Sequence, residues 1–300
     1  MFRERGILSV AAAFGDALRG VVTFNPSPRS ERRIRTAEAM TVGLPHEFRA
    51  RPGMKEKLER LIEEGYGVAG LVPHFSYGDF FRVGSALLLN VRGYSERDIL
   101  TPIAIHQYEG SLKRKLPLRA LEDYTDIRLH SIVTEDTLLR ERDKRDQGKK
   151  IPWAEKAKDA DTTSYLFRAA RVIVGSGVVL YAPSTGRRPF LSPFKEEPVR
   201  GLDLSLRKVT RRLEIKPRLA HMFFGVEVPG VTDYMAKSKF GMHAGEAYIV
   251  TLGLVLTDEE LKERATANGR TIDQEAYSIM LELAPLNYRP DQAPEIPGTI

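Results

Sequence analysis

Short apolar runs, each too brief for a helix and bounded by glycine or proline, alternate with amphipathic stretches along most of this chain. The clearest is Val68-Ala69-Gly70-Leu71-Val72, which follows Gly65 and Gly67 and runs into Pro73. A run of this length reads as a buried strand, and the charged segment before it, 54–64, carries Leu58, Leu61 and Ile62 on one helical side. Further strands are expected at 100–105, 127–133, 178–182, 222–228 and 247–256. Helices are expected at 31–40, 80–89, 134–145, 161–174, 203–213, 258–267 and 273–284. Alternation of this kind predicts an α/β fold: a mixed, mainly parallel sheet covered by helices on both faces, with a small N-terminal helical segment. The expected organisation is that helical segment over 1–52, an α/β domain over 53–288 and an irregular, proline-rich tail over 289–300. A length of 300 residues suits one large core with a small appendage.

Composition narrows the chemistry. An apolar fraction of 42% with 29% charged residues is that of a folded globular chain. There is no cysteine, which excludes a disulfide framework, a thiol nucleophile and a thiolate zinc site. His106, His130, His221 and His243 lack metal-ligand spacing, so no metal is expected. Gly175-Ser176-Gly177 precedes a strand, the wrong order for a dinucleotide fingerprint, and no cofactor is expected. The net charge of +6 favours anionic partners, but no nucleic-acid-binding motif is present and nucleic acid is not expected. No stretch approaches the roughly 18 apolar residues of a spanning helix, which suggests a cytoplasmic protein. Ile7, Ala11, Phe14 and Leu18 share one helical face, followed by Arg29, Arg32, Arg33 and Arg35. That segment suits a helix packed on the domain, a helix lying on an anionic membrane surface, or a targeting peptide.

Two segments carry candidate chemistry. In the first, Pro73-His74-Phe75-Ser76-Tyr77-Gly78-Asp79, a histidine leaves the end of a buried strand and an aspartate five positions later starts a helix. In α/β sheets that edge is where ligands bind. A carboxylate near an imidazole fixes its tautomer and stabilises the imidazolium formed when it takes a proton, so His74 is a candidate general base and Asp79 its partner. The bland alternative is a histidine satisfied by backbone groups, with Asp79 only capping the helix. In the second, Ala182-Pro183-Ser184-Thr185-Gly186-Arg187-Arg188 follows another strand and offers two hydroxyls, a glycine and two guanidinium groups, donors suited to a phosphate. A solvated arginine pair is the alternative.

Together these segments resemble the glycerol-3-phosphate acyltransferase family, the His-x4-Asp acyltransferases, and are most similar to its soluble plastid-type enzymes. The resemblance covers roughly residues 55–286 and extends to Asp161-Thr162-Thr163-Ser164, which opens the helix before the second motif much as an Asn-Thr-Arg-Ser stretch does there. It implies an enzyme of phospholipid biosynthesis. Such an enzyme moves a fatty acyl group from acyl-CoA or acyl-carrier protein to a hydroxyl of glycerol 3-phosphate or a similar phosphorylated acceptor. His74 is then the base, Asp79 its partner, and Ser184, Thr185, Gly186, Arg187 and Arg188 the acceptor-phosphate site. The chain departs from the family pattern in two places. The arginines are adjacent, where the family separates them by one residue, and Thr134, Glu135 and Asp136 stand where it carries a Lys-His pair; Lys149 and Lys150 are the candidates to replace that pair. A lysophosphatidate-type acyltransferase and a non-catalytic basic domain binding an anionic membrane peripherally are the competing readings.

Overall fold

The computed structural model describes residues 28–74, 79–105, 112–133, 162–183, 191, 193, 194, 197–214, 216–227 and 247–284. Among them the chain forms α1 (Arg29–Gly43), β1 (His46–Ala50), α2 (Met54–Glu63), β2 (Gly67–Leu71) and α3 (Asp79–Asn90), then a 3-10 turn at Tyr94–Glu96. It continues through β3 (Ile99–Ala104), α4 (Leu112–Thr125), β4 (Ile127–Ile132), α5 (Thr162–Val174), β5 (Val178–Tyr181) and α6 (Pro198–Leu213). The last elements are β6 (Leu219–Glu227), β7 (Tyr248–Thr257), α7 (Asp258–Ala267) and α8 (Ile272–Leu283). This is the expected α/β fold: one seven-stranded mixed sheet in the order β1-β7-β6-β2-β5-β3-β4. All neighbours are parallel except β6 and β7.

β2 is the axis of the sheet, and all five of its residues are buried. A methyl group added at Gly70 would meet Leu180 Cδ2 at 2.6 Å and Met222 Cε at 2.7 Å, so glycine lets side chains of both neighbouring strands close over β2. Pro102, which has no donor, lies where β3 has already parted from β5, since those strands pair only at Ile99 and Leu100. The β6–β7 register shifts between Phe223 and Phe224, opposite Gly253, where a Cβ would strike the Leu283 side chain at 2.2 Å. α8 therefore seats against a bulge that only glycine leaves room for.

The helices are placed by packing and by caps. α1 packs on α3 and α4, while α5 packs on α6 and α6 on α8. The right-handed crossover rule puts α3 and α4 on one face of the sheet and α5 and α6 on the other. Thr257 with Glu260, and Thr271 with Gln274, form reciprocal capping boxes that start α7 and α8. α6 starts at Pro198, five positions before the expected 203, because Asp273 of α8 accepts from Val199 N (2.8 Å) and Arg200 N (3.0 Å). Its orphan amides are capped from across the fold.

Three of the arginines near the N-terminus are engaged by the protein itself. Arg33 is fully buried and donates to the carbonyls of Thr125 (2.7 Å), Asp126 (2.7 Å), Ser95 (3.0 Å) and Arg97. Arg32 donates to Tyr124 O at 2.7 Å, and Arg29 pairs with Asp98 (2.7 Å) and Asp126 (3.1 Å). Arg32 and Arg33 thereby satisfy carbonyls left open at the C-terminus of α4, a favoured place for cations. Of the four arginines considered for anionic headgroups, Arg29, Arg32 and Arg33 have donors taken by the protein's own oxygens, while Arg35 is exposed and pairs with Glu31 on its own helix. Ile7, Ala11, Phe14 and Leu18 lie outside the described residues. Burial presses the Arg33 guanidinium down to about 10, still cationic at neutral pH. We predict that Arg33→Met lowers stability by about 3 kcal/mol or more, since several charged hydrogen bonds go at once. Urea unfolding measures it.

Buried carboxylates tie the last two helices to the sheet. Glu275, fully buried, accepts from Arg264, Asn268 (3.0 Å) and Arg270 (3.0 Å). Asp258 meets buried His221 of β6 at 3.3 Å and also binds Lys262. Burial alone would raise both carboxyls, but these partners outweigh it and hold them below the usual carboxylate range. A depressed carboxylate stabilises the fold above its unfolded value, about pH 4, and loses that contribution as pH falls through its folded value. Asp273 is shifted upward, chiefly by burial against its two amide bonds, and acts in the opposite sense. Stability should therefore fall below about pH 4, and Glu275→Gln should flatten that limb in urea midpoints taken across pH.

Candidate active site

β2, β3, β4, β5 and β6 run in one direction, and β7 and β1 in the other. The carboxyl ends of the first five strands thus share a sheet edge with the amino ends of the last two. His74 emerges at that edge three residues beyond Leu71. Leu71 pairs in register with Tyr181, so the second candidate segment leaves the neighbouring strand at the same level. From β2 the chain crosses to β3 beyond β5, and from β5 it crosses back to β6 beyond β2. Adjacent strands whose connections depart in opposite directions make a switch point, where open α/β sheets bind ligands.

His74 Nδ1 stands 3.9 Å from Asp79 Oδ2, with the imidazole side chain 22% exposed and the carboxylate fully buried. That separation is an ion-pair distance, longer than a hydrogen bond. Asp79 is the first residue of α3, where helix amides favour negative charge. The Phe80 ring lies 5.5 Å from the imidazole, tilted by 53°, and walls one side. With Nδ1 toward Asp79, Nε2 is the nitrogen left to meet a reacting hydroxyl. The arrangement can take up a proton and stabilise the resulting imidazolium.

Ser184, Thr185, Gly186, Arg187, Arg188, Lys149 and Lys150 lie outside the described residues, as does the helix expected at 134–145. Among the described residues no group of three or more potential ligands could hold a metal ion, and no helix is long and apolar enough to cross a membrane.

The sequence reading missed three residues at this edge. Arg82, one turn after Asp79 on α3, is 2% exposed and lies with its guanidinium carbon 3.4 Å above the Tyr248 ring centroid. Tyr248 begins β7, is fully buried and pairs in register with His46, which begins β1. His46 Nδ1–H donates to Leu44 O at 3.0 Å; burial, with Arg82 adding to it, pushes its pKa down and keeps it neutral. One signal was available, since Arg82 is the only basic residue in the largely apolar α3.

His221 and Asp258 form a second histidine–aspartate pair. His221 is fully buried within β6, level with Ala69 inside β2, so this pair locks α7 to the sheet and leaves no face for a substrate. No protein-family model matches this sequence, and no curated protein matches it.

Proposed function

We propose that the chain is an acyltransferase using His74 as general base with Asp79 as its orienting partner. The acceptor hydroxyl loses its proton to His74 as its oxygen attacks the carbonyl carbon of a thioester. The new C–O bond forms, the C–S bond breaks, and the proton passes to the departing thiolate of coenzyme A or acyl-carrier protein. One observation supports this reading most: a part-exposed imidazole and a buried carboxylate face each other at 3.9 Å where the central strand ends. The acceptor is glycerol 3-phosphate or a similar phosphorylated alcohol, including a lysophosphatidate, because Arg187 and Arg188 follow the adjacent strand with a glycine and two hydroxyls. Lys149 and Lys150 are candidates to add to that anion site. Any peripheral contact with an anionic membrane draws on the 1–27 segment and exposed Arg35, since the arginines at 29, 32 and 33 are engaged within the protein.

His74→Ala should lower turnover by on the order of 10²–10⁴-fold while the fold persists. The assay crosses acyl-CoA and acyl-carrier protein with a panel of glycerol phosphates and lysophospholipids, and near-parental turnover of the variant would remove His74 from the chemistry.

Arg187→Ala or Arg188→Ala should raise KM for the acceptor roughly 10- to 150-fold, the equivalent of about 1.5–3 kcal/mol for one lost charged hydrogen bond. KM for the acyl donor should change far less. Lysine at 187 should restore only part, because a point charge lacks the planar fork. Equal effects on both substrates would reassign the pair to the donor's carrier.

A further inference from the structure

Arg82 is supported on one face and left unsatisfied at its edge. It is 2% exposed, its guanidinium carbon lies 3.4 Å from the Tyr248 ring centroid, and its Nε meets no hydrogen-bond partner among the described residues. Burial lowers its pKa, while the Tyr248 ring and the Asp79 carboxylate act against that shift. Those two offset charge, but a ring face gives an N–H group no acceptor oxygen, and a buried donor without one destabilises the fold. Arg33 shows the contrast, since its donors reach the carbonyls of Ser95, Arg97, Thr125 and Asp126. Tyr248 places the guanidinium at the edge where His74 emerges: Phe223 of β6 pairs with Leu71, and Glu227, the last residue of β6, pairs with Ile249. The ring therefore lies at the level the chain reaches just after His74. His46, in register with Tyr248, is neutral and adds no second cation.

We infer that Arg82, lying on the Tyr248 ring, anchors an anion subsite at this edge that takes the phosphate or carboxylate of a small ligand. A guanidinium binds such oxyanions through its edge, where Nε–H and a neighbouring N–H make paired, charge-assisted bonds. At van der Waals distance from the ring, Arg82 meets Tyr248 with its face, which leaves the edge for a ligand and fixes the plane in which the pair forms. Arg187 and Arg188 follow β5, on the opposite side of β2 from β7, so this subsite is separate from theirs. It does not depend on the acyl-transfer reading.

Calorimetric titration of the purified chain with inorganic phosphate and with acetate, against chloride at equal ionic strength, tests this. The titrations are run on the parent and on an Arg187→Ala/Arg188→Ala chain, where the other candidate anion site is gone. Both should bind phosphate or acetate above the chloride background, and the preferred ion tells which oxyanion the subsite takes. Adding Arg82→Met to the double variant should weaken that binding roughly 10- to 150-fold, the loss of a charged hydrogen bond. The ligand-free urea midpoint should hold or rise, because methionine removes a buried cation whose Nε–H the fold leaves unsatisfied. Arg82→Lys should recover part of the affinity, Tyr248→Phe should keep it because the ring face remains, and Tyr248→Leu should lower it. Should Arg82→Met fail to fold, the lysine and Tyr248 variants carry the comparison. Unchanged affinity on loss of Arg82, a response no greater than that to chloride, or loss of all binding with Arg187 and Arg188 would overturn the inference. An active His74→Ala protein would overturn the acyl-transfer reading and leave this subsite standing.

Discussion

A strand enclosed on all sides can offer a solvent-facing site only through its ends, and β2 is enclosed on all sides. Its five residues are buried, β5 and β6 pair along both its edges, and Val72 still donates to Tyr181 O at 3.0 Å after the strand ends. Val72 and Pro73 remain buried, and Pro73 has no donor with which to extend the ladder. His74 is the first polar residue to come out. Its position is therefore fixed by the densest part of the core, and the histidine inherits that rigidity. Asp79 reaches it from the opposite direction as the first residue of a helix anchored by its apolar face. Both members of the pair are thus held by packed elements, the condition under which a catalytic group keeps its geometry.

The same core explains why net charge is a poor guide to what this protein meets. Arginine appears in three physically different roles. Arg33 ends helices by donating to four carbonyls, Arg29 bridges two carboxylates, and Arg82 lies over a tyrosine ring. All three count toward the +6, yet only Arg29 retains substantial exposed surface. A charge sum weights a cation in the core like one on the surface, so the run of arginines near the N-terminus could not by itself choose between packing on the domain and meeting an anionic surface.

Six of the seven strands were legible, most of them because buried strands of an α/β sheet are short apolar runs bounded by glycine, proline or polar turns. β1 escaped because its sequence, His46-Glu47-Phe48-Arg49-Ala50, is that of a half-exposed edge strand with one large apolar residue. α4 escaped because Lys113, Arg114, Lys115 and Pro117 break up its apolar repeat. β6 begins at Leu219, earlier than the expected 222, since His221 interrupts the run and only the tertiary partner Asp258 makes it tolerable inside. His74 and Asp79 could be found from their position after the strand. Tyr248 and His46 could not, because they reach the site through the reversal of β7 and β1, and pairing direction leaves no local mark on a sequence.

The 3.9 Å between His74 and Asp79 bears on how such a pair would work. Opposite unit charges about 4 Å apart attract by roughly 4 kcal/mol at an effective dielectric near 20, against about 1 kcal/mol in bulk water. That attraction exists only while the imidazole carries a proton. A neutral resting imidazole gains little from a carboxylate beyond hydrogen-bond reach, whereas an imidazolium gains much and is drawn closer. The stabilisation therefore grows along the proton transfer, the differential that lowers a barrier without tightening the ground state. Burial of the carboxylate serves the same end: with no exposed surface, Asp79 has little water to dilute its field, and the part-exposed imidazole is the group on which that field can act.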